Sequence, residues 1–340
     1  MNFKGSSILS ISQFERQDIE KLFRIADSME PLAQRRKKSR VLEGAILGSM
    51  FFEPSTRTRI SFGSAFNLLG GNVRETTDME ASSLVKGESL ADTARVLSGF
   101  SDIICMRHPV AGSVAEFAAA SRVPVINGGD GDNEHPSQAL LDLYTIEKEM
   151  LARGRAIDGL RIAMVGDLRY GRTVHSLCKL LMQYRNVSVH LVSPPELKMP
   201  GVLVDAMAGT GMRVFSTDRL EESISHVDIV YSTRIQEERF PSRDEADLYR
   251  GRLRLNNEIY TRFCEPNTVI MHPLPRDSRG EANELDIDLD SNPNLAIFRQ
   301  TDNGLLVRMA LFAVILDVVH QIDKHLEPVT WFNARQQPQS

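Results

Sequence analysis

Cysteine is scarce, with only Cys105, Cys178 and Cys264 in 340 residues. They lie far apart, in apolar or mixed segments, without metal-ligand spacing. This pattern argues against a disulfide framework or a cysteine metal site, and reads as buried free thiols in a reducing, cytoplasmic setting. Long apolar runs are missing too. The most hydrophobic stretch, 304–320, is interrupted by Arg308 and Asp317 and is too short and too charged to span a bilayer. It reads instead as a buried C-terminal helix. The first five residues lack the apolar core of a signal peptide. There is no internal repeat and no low-complexity tract, although the tail after Trp331 is polar and reads as a loose end. An excess of positive charge is also absent. The formal net charge of −5 argues against general affinity for nucleic acid. It leaves room for anionic substrates, because a site can gather arginines locally.

What is present is an alternation of apolar runs and helical patterns. At 340 residues the chain is long for one core, so two domains are the default. Ser12-Gln13-Phe14-Glu15 reads as a capping box for a first helix carrying Ile19, Leu22, Phe23 and Ala26. Residues 46–52 read as a strand, followed by a helix from about Thr56 with Phe62, Phe66 and Leu69 on one face. Residues 103–106 and 123–126 are short apolar runs, and Pro136 suits the first turn of a helix bearing Leu140, Leu141 and Tyr144. The stretch 153–159 is polar and contains glycine, a candidate joint. A second series follows: strands at 161–165, 187–192, 212–215, 227–231 and 268–271, with a helix marked by Val174, Leu177, Cys178 and Leu181. Strands alternating with helices predict an α/β chain of two doubly wound parallel-sheet domains, with ligands at the carboxyl ends of the strands.

The strongest chemical signal is Ser55-Thr56-Arg57-Thr58-Arg59, placed where a strand ends and a helix begins. Unpaired backbone N–H groups, the positive helix end, hydroxyls and a guanidinium together suit a phosphate. The plain structural alternative is a hydroxyl N-cap beside a solvated arginine. The segment lacks the Gly-rich turn and Gly-Lys-Ser/Thr ending of a Walker loop. Residues 166–171 likewise lack the Gly-x-Gly-x-x-Gly of a dinucleotide loop.

Further segments stand in a telling order. They are Met106-Arg107-His108-Pro109, His135-Pro136-Ser137-Gln138, Asp167-Leu168-Arg169-Tyr170-Gly171-Arg172-Thr173, Thr233-Arg234-Ile235-Gln236 and His272-Pro273-Leu274-Pro275-Arg276. With Ser55–Arg59 they resemble the carbamoyltransferase family, and its aspartate branch in particular, from about Ser10 to Leu316. Each piece has a bland reading alone: His135 as a helix cap, Arg107 as a strand-edge residue, Lys86, Arg172 and Arg234 as solvated side chains. Their joint occurrence in order favours the family.

The resemblance implies transfer of a carbamoyl group from carbamoyl phosphate to L-aspartate, an early step of pyrimidine biosynthesis. It implies that residues 1–152, joined by the C-terminal helix at about 304–325, bind carbamoyl phosphate. Residues 153–303 would bind aspartate, with the active site in the cleft between. Ser55, Thr56, Arg57 and Thr58 would hold the phosphate. Arg107 would contact phosphate and carbonyl, and His135 and Gln138 the carbamoyl group. Arg172 would take the α-carboxylate, Arg234 and Gln236 the β-carboxylate, and the carbonyls of Leu274 and Pro275 the amine. Ser82 and Lys86 would reach in from a neighbouring subunit of a homotrimer. Neither metal nor other cofactor is implied, since the substrate carries its own leaving group. A separate regulatory chain is a possible partner on which the sequence is silent.

Two rival readings remain. An ornithine enzyme would usually carry His-Cys-Leu-Pro and Ser-Met-Gly, both absent, and Arg234 would repel a cationic side chain. A non-catalytic relative would have lost part of the site, and nothing in the set is missing. Two departures stand out from the best-known bacterial pattern: residues 277–284 are a few longer, and the tail continues past Ile322.

Overall fold

A computed structural model describes residues 1–76, 87–277, 279 and 283–334. The chain divides into two compact units, residues 1–140 with 302–340, and residues 141–301.

The first unit opens with helices α1 (Arg16–Ser28) and α2 (Glu30–Ala33), then strands β1 (Lys37–Ser39) and β2 (Ile46–Phe51). Helix α3 (Thr56–Leu68) leads to β3 (Asn72–Thr76). There follow α4 (Leu90–Leu97), β4 (Ile103–His108), α5 (Ser113–Ala120), β5 (Val125–Asp130) and α6 (Pro136–Leu151), which continues past the unit boundary. The expected capping box at Ser12 is not formed. Ser12 lies in a short 3-10 turn capped by Ser10 and Gln13, and α1 starts at Arg16, where the Asp18 side chain accepts from the Glu15 N–H at 3.0 Å.

Strands β3, β2, β4 and β5 form a parallel sheet in that order, with Leu47 opposite Ile103 and Met50 opposite Met106. Because the strands are parallel, the chain leaves β2, β4 and β5 on one edge, at Glu53, His108 and Asp130. Met50, Ile104, Met106, Val125 and Phe117 form the core on one face. Near the end of the chain, Phe312 packs edge-on to Phe66 at 4.9 Å and Phe62 at 5.9 Å.

The second unit contains β6 (Arg161–Gly166), α7 (Arg172–Leu181), β7 (Ser188–Val192), α8 (Gly201–Gly209), β8 (Arg213–Thr217) and α9 (Leu220–Ile224). It continues with β9 (Ile229–Thr233), α10 (Arg243–Asp247), α11 (Asn257–Phe263) and β10 (Val269–Met271). All five strands are parallel, in the order β10-β9-β6-β7-β8. Gly166 has a φ of +122°, and a Cβ there would lie 2.1 Å from the Thr233 carbonyl oxygen. The two central strands therefore end in a contact that only glycine permits.

Helix α12 (Ile297–Ile315) begins earlier than the apolar pattern suggests and gives way to a 3-10 segment, Val319–His325. Strand β11 (Leu326–Pro328) then pairs antiparallel with β1. No single helix among the described residues is long and apolar enough to cross a membrane. Cys105 and Cys178 are buried free thiols, whereas Cys264 is only partly covered; burial pushes the Cys178 and Cys264 thiols up to about 12.

Candidate functional site

In the first unit, Ser55 caps α3 in an extended conformation, and its hydroxyl makes no capping bond. The first-turn N–H groups of a helix have no partner within it, so Thr56, Arg57 and Thr58 present donors at the positive helix end. Thr56 and Arg57 are exposed, while Thr58 is buried. The Thr58 Oγ1 lies 3.5 Å from Nε2 of His135, which is 3% exposed and stands just before Pro136, the first residue of α6. The His135 carbonyl accepts the Gln138 N–H at 3.0 Å, fixing the turn that carries both. Arg107 lies one residue before the end of β4, with its guanidinium 2.8 Å from the Glu53 carboxylate and 3.4 Å from the Gly128 carbonyl. Arg59, the last residue of the motif, turns instead to Glu75 at 2.7 Å.

Scaffold residues of this unit escaped the sequence reading. Glu53 is one; it was visible as an acid just before the cradle, but its pairing with Arg107 spans two strands. Asp130 is another. Its carboxylate accepts from Gly112 N at 2.9 Å, Asn127 Nδ2 at 2.8 Å and Glu134 N at 3.2 Å, bracing the loop ahead of His135. His108 is also structural: its Nδ1 accepts the Val110 N–H at 3.1 Å, and burial lowers its pKa.

In the second unit, Arg172 is the first residue of α7. The buried Asp167 ties its loop to another. One Asp167 oxygen accepts from the N–H groups of Arg169 at 3.2 Å and Tyr170 at 3.0 Å; the other accepts the Gln236 N–H at 3.1 Å. Burial pushes the Asp167 carboxyl up, and the hydrogen bonds from Tyr170, Gln236 and Arg169 oppose this. A single carboxylate thus holds the loops carrying Arg172 and Arg234–Gln236. The Arg234 guanidinium is paired with Glu238 at 2.7 Å, and Gln236 Nε2 donates to the Arg234 carbonyl at 3.1 Å. Burial raises the Glu238 pKa, but the Arg234 contact outweighs it and holds the value below the usual range.

After β10, His272 Nδ1 accepts the Leu274 N–H at 2.8 Å. Its Nε2, 2.8 Å from Glu284, therefore carries the proton and donates to that carboxylate. Glu284 also accepts the Asp277 N–H at 3.1 Å. These bonds fix the turn at Leu274, which has a φ of 60° and a cis bond to Pro275. Behind it, buried Asp142 accepts from Tyr231 Oη at 2.7 Å and Gln300 Nε2 at 2.6 Å, and Gln300 Oε1 accepts the His272 N–H at 3.0 Å. Ser82 and Lys86 lie outside the described residues.

Residues 6–148 match the profile of the aspartate/ornithine carbamoyltransferase carbamoyl-P binding domain, and residues 158–315 that of the Asp/Orn binding domain. A chain from Cellvibrio japonicus, named aspartate carbamoyltransferase catalytic subunit, is 72% identical over 334 residues, covering 98% of this chain and 99% of its own. One of the same name from Saccharophagus degradans is 72% identical over 335 residues, covering 98% and 99%. Among solved structures, an aspartate transcarbamoylase from Trypanosoma cruzi, in complex with carbamoyl phosphate and aspartate, is 38% identical. It superposes with a TM-score of 0.84, covering 92% of this chain and 98% of that one. The catalytic subunit of M. Jannaschii aspartate transcarbamoylase gives 41% and 0.82, covering 92% and 98%.

Proposed function

The chain belongs to the aspartate/ornithine carbamoyltransferase family, and from that premise we infer that it carbamoylates L-aspartate. Carbamoyl phosphate and L-aspartate give N-carbamoyl-L-aspartate and phosphate. The observation that carries aspartate over ornithine is the pair of guanidinium-bearing loops held by Asp167. Two arginines suit two carboxylates, whereas a cationic side chain would meet Arg234 unfavourably.

In this reading Ser55, Thr56, Arg57 and Thr58 cradle the phosphate, and Arg107 contacts both phosphate and carbonyl. His135 and Gln138 hold the carbamoyl oxygen and amide. Arg172 takes the α-carboxylate, and Arg234 and Gln236 the β-carboxylate. The carbonyls of Leu274 and Pro275 orient the amine. The amine nitrogen attacks the carbonyl carbon, a C–N bond forms, and negative charge gathers on the carbonyl oxygen. Thr58, Arg107 and His135 stabilise that charge; losing one such donor typically costs roughly 3–4 kcal/mol. The C–O bond to phosphate then breaks, and the departing phosphate takes the amine proton. Holding two reactants in register supplies up to ~7–11 kcal/mol, so the chemistry needs no covalent enzyme intermediate.

Arg234 pairs with Glu238 here. Binding the β-carboxylate has to recruit this guanidinium, wholly or in part, from that pair. We further propose a cytoplasmic homotrimer, working early in pyrimidine synthesis, in which Ser82 and Lys86 complete a neighbour's site. The test of the activity is phosphate release from carbamoyl phosphate with L-aspartate, L-ornithine or neither. Release dependent on L-aspartate alone is expected; release with L-ornithine alone would transfer the assignment to the other branch.

A further inference from the structure

The catalytic scheme above makes no use of Asp277 or Arg279, which follow the Leu274–Pro275 turn. Both enter a closed ring of opposite charges. Asp277 lies 2.8 Å from Arg250 and 3.0 Å from Arg279. Arg279 also pairs with Glu237, and Glu237 lies 3.5 Å from Arg250, which closes the ring. Two guanidinium groups alternate with two carboxylates, so the ring is neutral. Asp247 adds a contact to Arg250 at 3.1 Å and Arg243 one to Glu237 at 3.8 Å, so the flanking charges also balance.

Isolated exposed ion pairs contribute about 0–1 kcal/mol, and that is the plain reading of any single pair here. Two features go beyond it. The side chains of Arg250, Asp277 and Glu237 are only 17%, 9% and 16% exposed, so the surrounding water screens them less. Burial pushes the Asp277 carboxyl up, yet its bonds to Arg279 and Arg250 hold it at about 2.

The corners lead directly into the proposed aspartate residues. Glu237 follows Gln236 and stands three residues from Arg234; Asp277 stands two residues beyond Pro275. Arg250 and Asp277 also line a small cavity with Thr233 and Ile235, on either side of Arg234. The ring therefore ties the loop carrying Arg234 and Gln236 to the turn carrying Leu274 and Pro275.

We propose that Glu237, Arg250, Asp277 and Arg279 are positioning residues for L-aspartate, holding the β-carboxylate contacts at a set distance from the carbonyls that face the amine. This rests on the aspartate reading of Arg234 and of Leu274–Pro275. The ring's neutrality suits the task, because it sets geometry without adding net charge beside a dianionic substrate.

The test uses the full-length chain with Asp277→Asn, Asp277→Glu and Arg279→Met, measuring KM for each substrate, kcat and Tm. Asp277→Asn and Arg279→Met should raise KM for L-aspartate roughly tenfold, while KM for carbamoyl phosphate changes by less than about twofold. Asp277→Glu, which keeps the charge, should recover part of the loss. Unchanged aspartate KM in folded variants, equal rises for both substrates, or a lower Tm alone would overturn the ring's role. Should Asp277→Asn fail to fold, Arg279→Met decides, since that corner is 51% exposed. A wild-type chain without aspartate-dependent phosphate release overturns the parent reading and the ring with it. Normal wild-type turnover with unaltered variants overturns the ring alone.

Discussion

Arg57 is exposed on the first turn of α3, so its removal leaves no hole in the core. Arg57→Ala should therefore fold with a nearly unchanged Tm and lose roughly a hundredfold to a thousandfold in kcat. Near-normal kinetics in the folded variant would remove the phosphate cradle from the mechanism. Arg234→Ala should raise KM for L-aspartate far more than KM for carbamoyl phosphate, because the β-carboxylate is remote from the reacting amine. Equal losses for both substrates would count against that assignment. The proposed arginines, hydroxyls and His135 were nominated from sequence because each stands in a short local segment at a strand end. Asp167, Glu53 and Asp142 were not, because their partners are distant along the chain. The Asp167 contact with Gln236 spans 69 residues and that of Asp142 with Tyr231 spans 89, which no local pattern reveals.

At the level of elements, the buried strands were legible as apolar runs. Strand β3 was not: its residues are exposed or half-covered at the sheet edge and carry no alternation. The start of α1 was misplaced because Ser12 offered a hydroxyl at plausible spacing, while the chain used Ser10 for one turn and Asp18 for the next. The close of β6 against β9 gives a sharp expectation. Gly166→Ala would force a Cβ to within 2.1 Å of the Thr233 oxygen in a backbone region unfavourable to L residues. It should destabilise the chain by roughly 2–4 kcal/mol in denaturant unfolding; a neutral result would mean that the strand ends yield easily. The ring at Asp277 adds a pH dependence. Its carboxyl titrates at about 2 when folded, below an unfolded value near ~3.9. Its contribution is thus fully present above the unfolded value and disappears as pH falls through the folded one. The Tm gap between wild type and Asp277→Asn should shrink from about pH 5 to about pH 2. A constant gap would trace the effect to packing rather than charge.

At the scale of the whole molecule, the proposed trimer predicts complementation between two defective chains. Arg57→Ala and Lys86→Gln chains should each be nearly inactive. Unfolded together and refolded, mixed trimers should regain activity, because one interface in each joins an intact Arg57 to an intact Lys86. Mixed trimers as inactive as their parents would place both residues in a site within one chain. The first unit itself is built from both ends of the chain, residues 1–140 and 302–340. Phe62 and Phe66 find their partner Phe312 only in the second of these pieces. This imposes a timetable on the ribosome. Domains generally fold as units while the chain is being made. Here Phe62 and Phe66 lack their Phe312 contact until the whole of the second unit has been synthesised. The second unit, continuous in sequence, can close in the meantime. Residues 1–140 are thus made before the segment that covers Phe62 and Phe66.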